Sequence, residues 1–295
     1  MAEHAFLLES AEGLTVEVSP LGGAILSAKW HGTPFLAQTP TPGLASQVFG
    51  SEACFPLVPF GNRIENNGFQ FDGRDYRLVA NTADPLVLHG DGWLGRWSVQ
   101  HRDRQAVTLR LRQEASTATP FAYEAVETIA VDGTRLIISL SVTNEAAEPL
   151  PYGLGFHPYF PRSPDMRLFA RAGRYWTERE GHLPGSGGPT PETMDFASGS
   201  PLPVEWLNNA FDGWDGRARI EWPETGLAVS LEADGNLRYF VLYSPSATSG
   251  FFCFEPMSHR PNAHRDLQEG GLVRLQPHET MTATMALRIE GLVTR

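Results

Sequence analysis

The sequence is poor in most of the features that announce a common function. It holds only two cysteines, Cys54 and Cys253, too few for a disulfide framework and without the spacing of metal-ligand pairs. Two reduced, mostly buried thiols are expected, as in a cytoplasmic protein. Positive charge is also scarce: 23 Lys and Arg against 34 Asp and Glu give a formal net charge of -11, so a nucleic-acid backbone or an anionic membrane surface is repelled. No window approaches the apolar length of a membrane span, and the opening MAEHAFLLESAEG lacks a basic start followed by a long apolar stretch. The expectation is a soluble cytoplasmic protein with no nucleic-acid or membrane partner. Helical periodicity with caps is rare, which argues against helix-based architectures.

What is present is alternation. With 41% hydrophobic and 19% charged residues the chain is globular in composition, and LTVEVS, QAVTLRLRQ, AYEAVETIAV, RLIISLSVTN, LAVSLEA, LRYFVLYS, FFCFEP and MTATMALRIEG all read as strands bounded by Gly, Pro, Asn or Asp. The VDGT segment from Val131 to Thr134 reads as a tight hairpin turn, Asp-Gly supplying positive φ. Between Arg162 and Pro203 the sequence turns rich in Gly, Pro, Ser and Thr, and ordered loops crossing the end of a sheet are expected there. Strands of one character flank that segment. The chain therefore reads as all-β, one large antiparallel β-sandwich domain over residues 1–295.

Two motif-like stretches carry no chemistry. Gly90, Gly92 and Gly95 match the spacing G-x-G-x-x-G, but the following RWSVQHR alternates like a strand and no βαβ unit surrounds it. In HRPNAHRD the histidines sit five apart with Pro261 between them, which suits neither a helix face nor a strand face for metal binding. No cofactor and no metal site is read.

Four other segments set isolated polar residues among rings and small residues: FGNRIENNGFQFDGRDYRL around Arg63, LVLHGDGWLGRW around His89, PYGLGFHPYF around His157, and FFCFEPMSHRPNAH around Glu255. Such settings suit sugars, because rings cover the apolar C–H face of a pyranose while polar side chains hydrogen-bond its hydroxyls. Glu255 follows the apolar run FFCF and precedes Pro256, a strand-end position where a carboxylate seldom sits without a partner or a task.

In this order and context, together with P-F-x-Y-E at Pro120 to Glu124, V-T-N before L-P and H-P-Y-F, M-D-F and the late F-E-P, the chain resembles the aldose 1-epimerase (galactose mutarotase) family over nearly its whole length. The resemblance implies a galactose-mutarotase-like β-sandwich acting on a free aldose without metal or nucleotide. It further implies His157 as general acid and Glu255 as general base, with Arg63 and His89 positioning the sugar. The residue types agree with that chemistry: a glutamate of ordinary pKa is ionised near neutrality and a histidine is partly protonated.

Asn208, in LNNAF, stands where many family members have an acidic residue, and it counts here as a sugar-binding residue without a charge; Asp212 and Asp215 lie nearby as substitutes, with turn formation their other role. Two alternatives remain. One is a sugar-binding protein without turnover on the same fold; the other is an epimerase for phosphorylated or sulfonated hexoses, with His259, Arg260 or Arg265 facing the anion. A glycoside hydrolase fits less well, since only one of its two carboxylates can be named. Preferred sugar and oligomeric state are not legible, and a homodimer stays open.

Overall fold

The computed structural model describes residues 5–37 and 52–292. All eight strands read from the alternation are present, including Leu14–Ser19, Tyr123–Asp132, Arg135–Asn144, Phe251–Met257 and Thr280–Gly291. Helix is limited, among the described residues, to short 3-10 turns such as Glu65–Asn67 and Gly92–Leu94.

Two eight-stranded antiparallel sheets dominate. One runs in the order Arg167–Ala170, Arg217–Trp222, Leu227–Ala233, Thr280–Gly291, Arg135–Asn144, Tyr123–Asp132, Ala106–Gln113 and Ser98–Arg102. Its long central strands alternate buried and half-exposed residues without a break, which is why their sequences alternate so cleanly. The other runs Leu183–Gly188, Arg174–Arg179, Leu207–Asp212, Tyr239–Ser244, Phe251–Met257, Gly155–Phe156 and Pro56–Leu57, with Tyr159–Pro161 also paired to Phe251–Met257. A four-stranded sheet at the N-terminal end, from Phe6–Glu9 to Thr33–Leu36, and two two-stranded pairs, Gly68–Phe71 with Arg74–Arg77 and Leu150–Tyr152 with Val273–Leu275, complete the β architecture of the described residues.

The second sheet is asymmetric across its two faces. Phe211, Phe240 and Phe254 point inward and stack, with centroids 4.5 Å apart for both Phe211–Phe240 and Phe240–Phe254. They join Phe252 and the first sheet's Ile138, Leu140 and Leu287 in one buried cluster. Burying each such ring stabilises by about 1.5–3 kcal/mol, so this layer is the rigid base from which the opposite face projects.

The hairpin after Tyr123–Asp132 closes with Asp132 opposite Arg135, so the two loop residues are Gly133 and Thr134, and it is Gly133, at φ 59°, that supplies the positive angle. The segment from Arg162 to Pro203 departs further from expectation. It contains three strands, two of which, Arg174–Arg179 and Leu183–Gly188, extend the second sheet. Two of the glycines that read as loop make room for close packing: a Cβ on Gly185 would lie 2.4 Å from Thr177 Oγ1, and one on Gly187 3.0 Å from the Trp176 ring. Tertiary pairing overrides low strand propensity here.

Candidate active site

The outward face of the second sheet is organised by register. Gly155 pairs with Met257 and Tyr159 with Cys253, so the same count sets His157 opposite Glu255. Glu255 pairs with Val241, Val241 with Ala210, and Ala210 with Trp176. One row across four strands and the short link that carries His157 therefore reads His157, Glu255, Val241, Ala210, Trp176, because side chains directly opposite share a face. The neighbouring row reads Tyr159, Cys253, Tyr243, Asn208. Polar groups at the two ends flank a floor of small apolar side chains. Next to that floor lies a small recess lined by Asn62, His182, Asn208, Ala210, Val241 and Pro261.

His157 Nε2 lies 3.3 Å from Glu255 Oε1, with the side chains 8% and 3% exposed. Their other polar atoms, His157 Nδ1 and Glu255 Oε2, are buried with no hydrogen-bond partner among the described residues. The imidazole is packed face to face on Phe55 at 4.5 Å, and the residue is held by its backbone N–H, which donates to the Phe55 carbonyl at 3.0 Å. Tyr159 lies at 4.8 Å and His89 stands edge-on at 5.1 Å.

Burial changes the protonation expected from ordinary values. It pushes the Glu255 carboxyl up to about 8, partly offset by the positive charge of Arg63, and pulls His157 down to about 3. Near neutrality the couple thus holds one proton, favouring the neutral acid and neutral imidazole rather than an ionised base and a charged acid. The cause is desolvation, which sequence position alone did not convey.

His89 sits at φ 60°, and its Nδ1 accepts from the Asn62 backbone N–H at 3.0 Å while its backbone N–H donates to the Asn62 carbonyl at 2.9 Å. An accepting Nδ1 leaves the ring proton on Nε2. Gly90 allows this loop to close, since a Cβ there would meet Val58 O at 2.5 Å; close backbone approach, not phosphate binding, explains the glycines of that stretch. Arg63 donates through Nε and one terminal nitrogen to a single oxygen of Asp84, at 2.9 and 2.7 Å, while Asp84's other oxygen accepts from Leu86 N–H at 2.8 Å. The guanidinium is fixed, yet most of its donors stay uncommitted.

Asn208 lies on the same face, and a carboxylate stands beside it after all: Asn208 Nδ2 donates to Glu178 Oε1 at 2.7 Å. Neither nearby aspartate fills that place. Asp212 accepts from Trp176 Nε1 at 2.9 Å, and Asp215 caps a turn by accepting from Arg217 N–H at 3.0 Å. The three groups nominated for an anion are engaged elsewhere. His259 Nε2 accepts from Gly61 N–H at 3.0 Å and its Nδ1 bonds the Arg260 carbonyl at 2.9 Å; Arg260 is bound to Asp266 and lies 4.6 Å above the Trp176 ring; Arg265 lies 4.0 Å from Glu65.

Sequence reasoning did not single out Phe55, Asp84, Glu178, Tyr243 or Cys253 for the cleft. The last completes a donor set, because a ring nitrogen of His157, the Cys253 thiol and a Glu255 oxygen all lie within 4.8 Å of one another. Such donors suit a thiophilic divalent ion, and an ion held there would sit on the His157–Glu255 pair itself.

A family model described as aldose 1-epimerase matches residues 4–288. The chain is 42% identical over 288 residues to the uncharacterized protein YphB of Escherichia coli K12, covering 95% of this chain and 97% of that one. The crystal structure of a candidate aldose 1-epimerase from Escherichia coli K12 matches with a TM-score of 0.91 at 38% identity, over 98% of this chain and 99% of the other. The GalM/aldose epimerase homologue of C. elegans matches with a TM-score of 0.84 at 18% identity, over 99% and 100%. No described helix is long and apolar enough to cross a membrane.

Proposed function

Because the chain belongs to the aldose 1-epimerase family, a family of sugar isomerases, we propose that it interconverts the α and β anomers of a free, uncharged hexose, the whole chain acting as one domain in the cytoplasm. The observation that carries this reading is the buried His157–Glu255 couple, 3.3 Å apart with an unpartnered atom on each residue.

Ring opening removes a proton from the anomeric hydroxyl and delivers one to the ring oxygen. Both oxygens are bonded to the same carbon, so the accepting and donating groups must be neighbours, as these two are. Glu255 takes the hydroxyl proton as the carbonyl forms, the C1–ring-oxygen bond breaks, and His157 protonates the departing oxygen. Rotation about the C1–C2 bond exposes the other aldehyde face, and the reverse transfers close the ring. A couple holding one proton near neutrality suits this cycle, because each half-reaction only moves that proton from one member to the other. A sugar donating its hydroxyl hydrogen to Glu255 and accepting from His157 favours the ionised carboxylate and charged imidazole over the resting arrangement.

Arg63 and the Nε2–H of His89 orient the ring as donors, and Asn208 with Glu178 receives hydroxyls farther along the cleft. The uncharged substrate follows from electrostatics. Arg63, Arg260 and Arg265 each have a carboxylate partner that balances their charge, and Glu178 adds negative charge, which disfavours a phosphate or sulfonate. The test is a panel of freshly dissolved α-anomers, free and 6-phosphorylated, followed by polarimetry. Acceleration confined to free hexoses supports the reading. Preference for the phosphorylated sugar, or binding without acceleration, contradicts it.

A further inference from the structure

His259 turns its ring toward the loop that carries Arg63. The residue is 1% exposed, and both ring nitrogens are committed to backbone groups, Nε2 to the Gly61 N–H at 3.0 Å and Nδ1 to the Arg260 carbonyl at 2.9 Å. A backbone N–H only donates, so the ring proton sits on Nδ1 and is given to that carbonyl. Burial pulls the imidazole down to about 4, which keeps the accepting lone pair free of a proton near neutrality. Three residues on, Asn262 accepts from the Glu65 N–H through Oδ1 at 3.0 Å and donates its backbone N–H to the Arg63 carbonyl at 3.2 Å. The stretch from Gly61 to Glu65 is thus held, at alternate residues, by a segment that lies far along the chain, His259 being 198 residues from Gly61.

The tie reaches the cleft through the residues that follow Gly61. Asn62 N–H donates to His89 Nδ1 at 3.0 Å, so two successive backbone N–H groups end on two imidazole rings. Arg63 comes next, with its guanidinium held at the far end by Asp84 and close enough to Glu255 for its charge to lower that carboxyl. Gly61 is buried, and without His259 its N–H would have no partner, a cost that drives the loop toward another arrangement. Gly153 shows how closely the ring is seated. A Cβ there would lie 2.0 Å from His259 Cδ2 and 2.5 Å from its Nε2, nearer than to any other neighbour, and no left-handed backbone angle otherwise calls for glycine at that position.

We propose that His259 is a positioning residue for the sugar: as the acceptor for the Gly61 N–H it sets the backbone of the Gly61–Glu65 loop, and through that backbone the place of the Arg63 guanidinium. The assignment rests on the epimerase reading for Arg63 as a sugar-facing donor, and on geometry alone for the tie between ring and loop.

Two substitutions separate the ring's nitrogens. In His259→Gln the amide reaches the place of Nε2 and its oxygen accepts from Gly61, whereas in His259→Asn the shorter amide reaches only the place of Nδ1 and leaves Gly61 unpaired. His259→Asn should raise KM about tenfold, the scale of one lost hydrogen bond in a buried setting, with a much smaller change in kcat. His259→Gln should restore most of the affinity, although both variants lose the same ring packing. In an Arg63→Ala background His259→Asn should change KM by less than about twofold, because its effect passes through the missing guanidinium. Unchanged KM in His259→Asn, equal losses in the two variants, or losses that multiply with Arg63→Ala overturn the proposal. A readout on the wild type needs no variant to fold: long-range proton–nitrogen NMR should show the His259 proton on Nδ1, and a proton on Nε2 overturns the tie to Gly61. Calorimetric titration with free hexose separates this proposal from the epimerase reading. A wild type that binds sugar without anomerising it, with affinity lost in His259→Asn and regained in His259→Gln, supports the positioning role and sinks the epimerase; anomerisation that is alike in the wild type and both variants sinks the positioning role alone.

Discussion

Replacing Glu255 by glutamine should stabilise the protein in a pH-dependent way while slowing its chemistry. Burial raises the carboxyl from its ordinary 4.5 to about 8, so between those values the folded state binds a proton that the unfolded chain has released, and stability falls as pH rises through that window. His157, lowered to about 3, acts oppositely: stability gains as pH rises from about 3 to its ordinary 6.5. The two contributions cancel between about pH 4.5 and 6.5, and above that range the glutamate's contribution stands alone. The substituted amide has no charge to bury. At 1.36 kcal/mol per pKa unit, the variant's advantage should be under about 1 kcal/mol near pH 5 and about 3 kcal/mol near pH 7. Packing differences between a carboxyl and an amide do not change with pH, so the widening is the quantity to read. Urea unfolding of both proteins at several pH values measures it. An advantage that stays constant or shrinks from about pH 5 to about pH 7 would refute the claim that this carboxyl is held neutral by burial.

Four further outcomes are expected. The pH profile of kcat/KM should be flat through neutrality and fall above about pH 8, where the couple loses its proton; an inflection near the ordinary histidine value of about 6.5 instead would mean a solvated imidazole. Arg63→Ala and His89→Ala should each weaken sugar binding, Arg63→Ala by about 1.5–3 kcal/mol for a charged hydrogen bond, with the fold intact by circular dichroism; unfolding of either variant would mark a structural role. Asp84→Ala should raise KM more than it lowers kcat, since Arg63 loses its anchor, and an unchanged KM would show that the anchor is dispensable. Chelation should leave turnover at or above its starting rate, and added zinc should inhibit competitively with sugar through His157, Cys253 and Glu255; loss of activity on chelation, restored by a divalent ion, would sink a metal-free proton relay.

Period-two alternation made the central strands legible, because strands with one buried face must alternate. The Gly-rich edge strand Leu183–Gly188 was not, since its pairing depends on packing against a tryptophan on another strand. His157 and Glu255 stood out through local context, but their juxtaposition came from a register linking segments far apart in the chain, which no local pattern encodes. The partners of Arg63 and Asn208 were hidden for the same reason: Asp84 and Glu178 lie 21 and 30 residues away in sequence. The raised Glu255 and lowered His157 follow from burial by residues scattered along the chain, so their ordinary values misled.

The claim at the centre is that Glu255 and His157 act as one proton-transfer couple on a sugar's anomeric centre. The direct measurement is the rate of anomer exchange at equilibrium, by NMR magnetisation transfer on a free hexose, for the wild type, Glu255→Gln, His157→Asn and the double variant. Each single change should slow exchange by about 10²-fold or more with a much smaller loss of affinity, and the double variant should lose far less than the product of the single losses, because both residues serve one step. Near-normal exchange in Glu255→Gln, or losses that simply multiply, would contradict the couple.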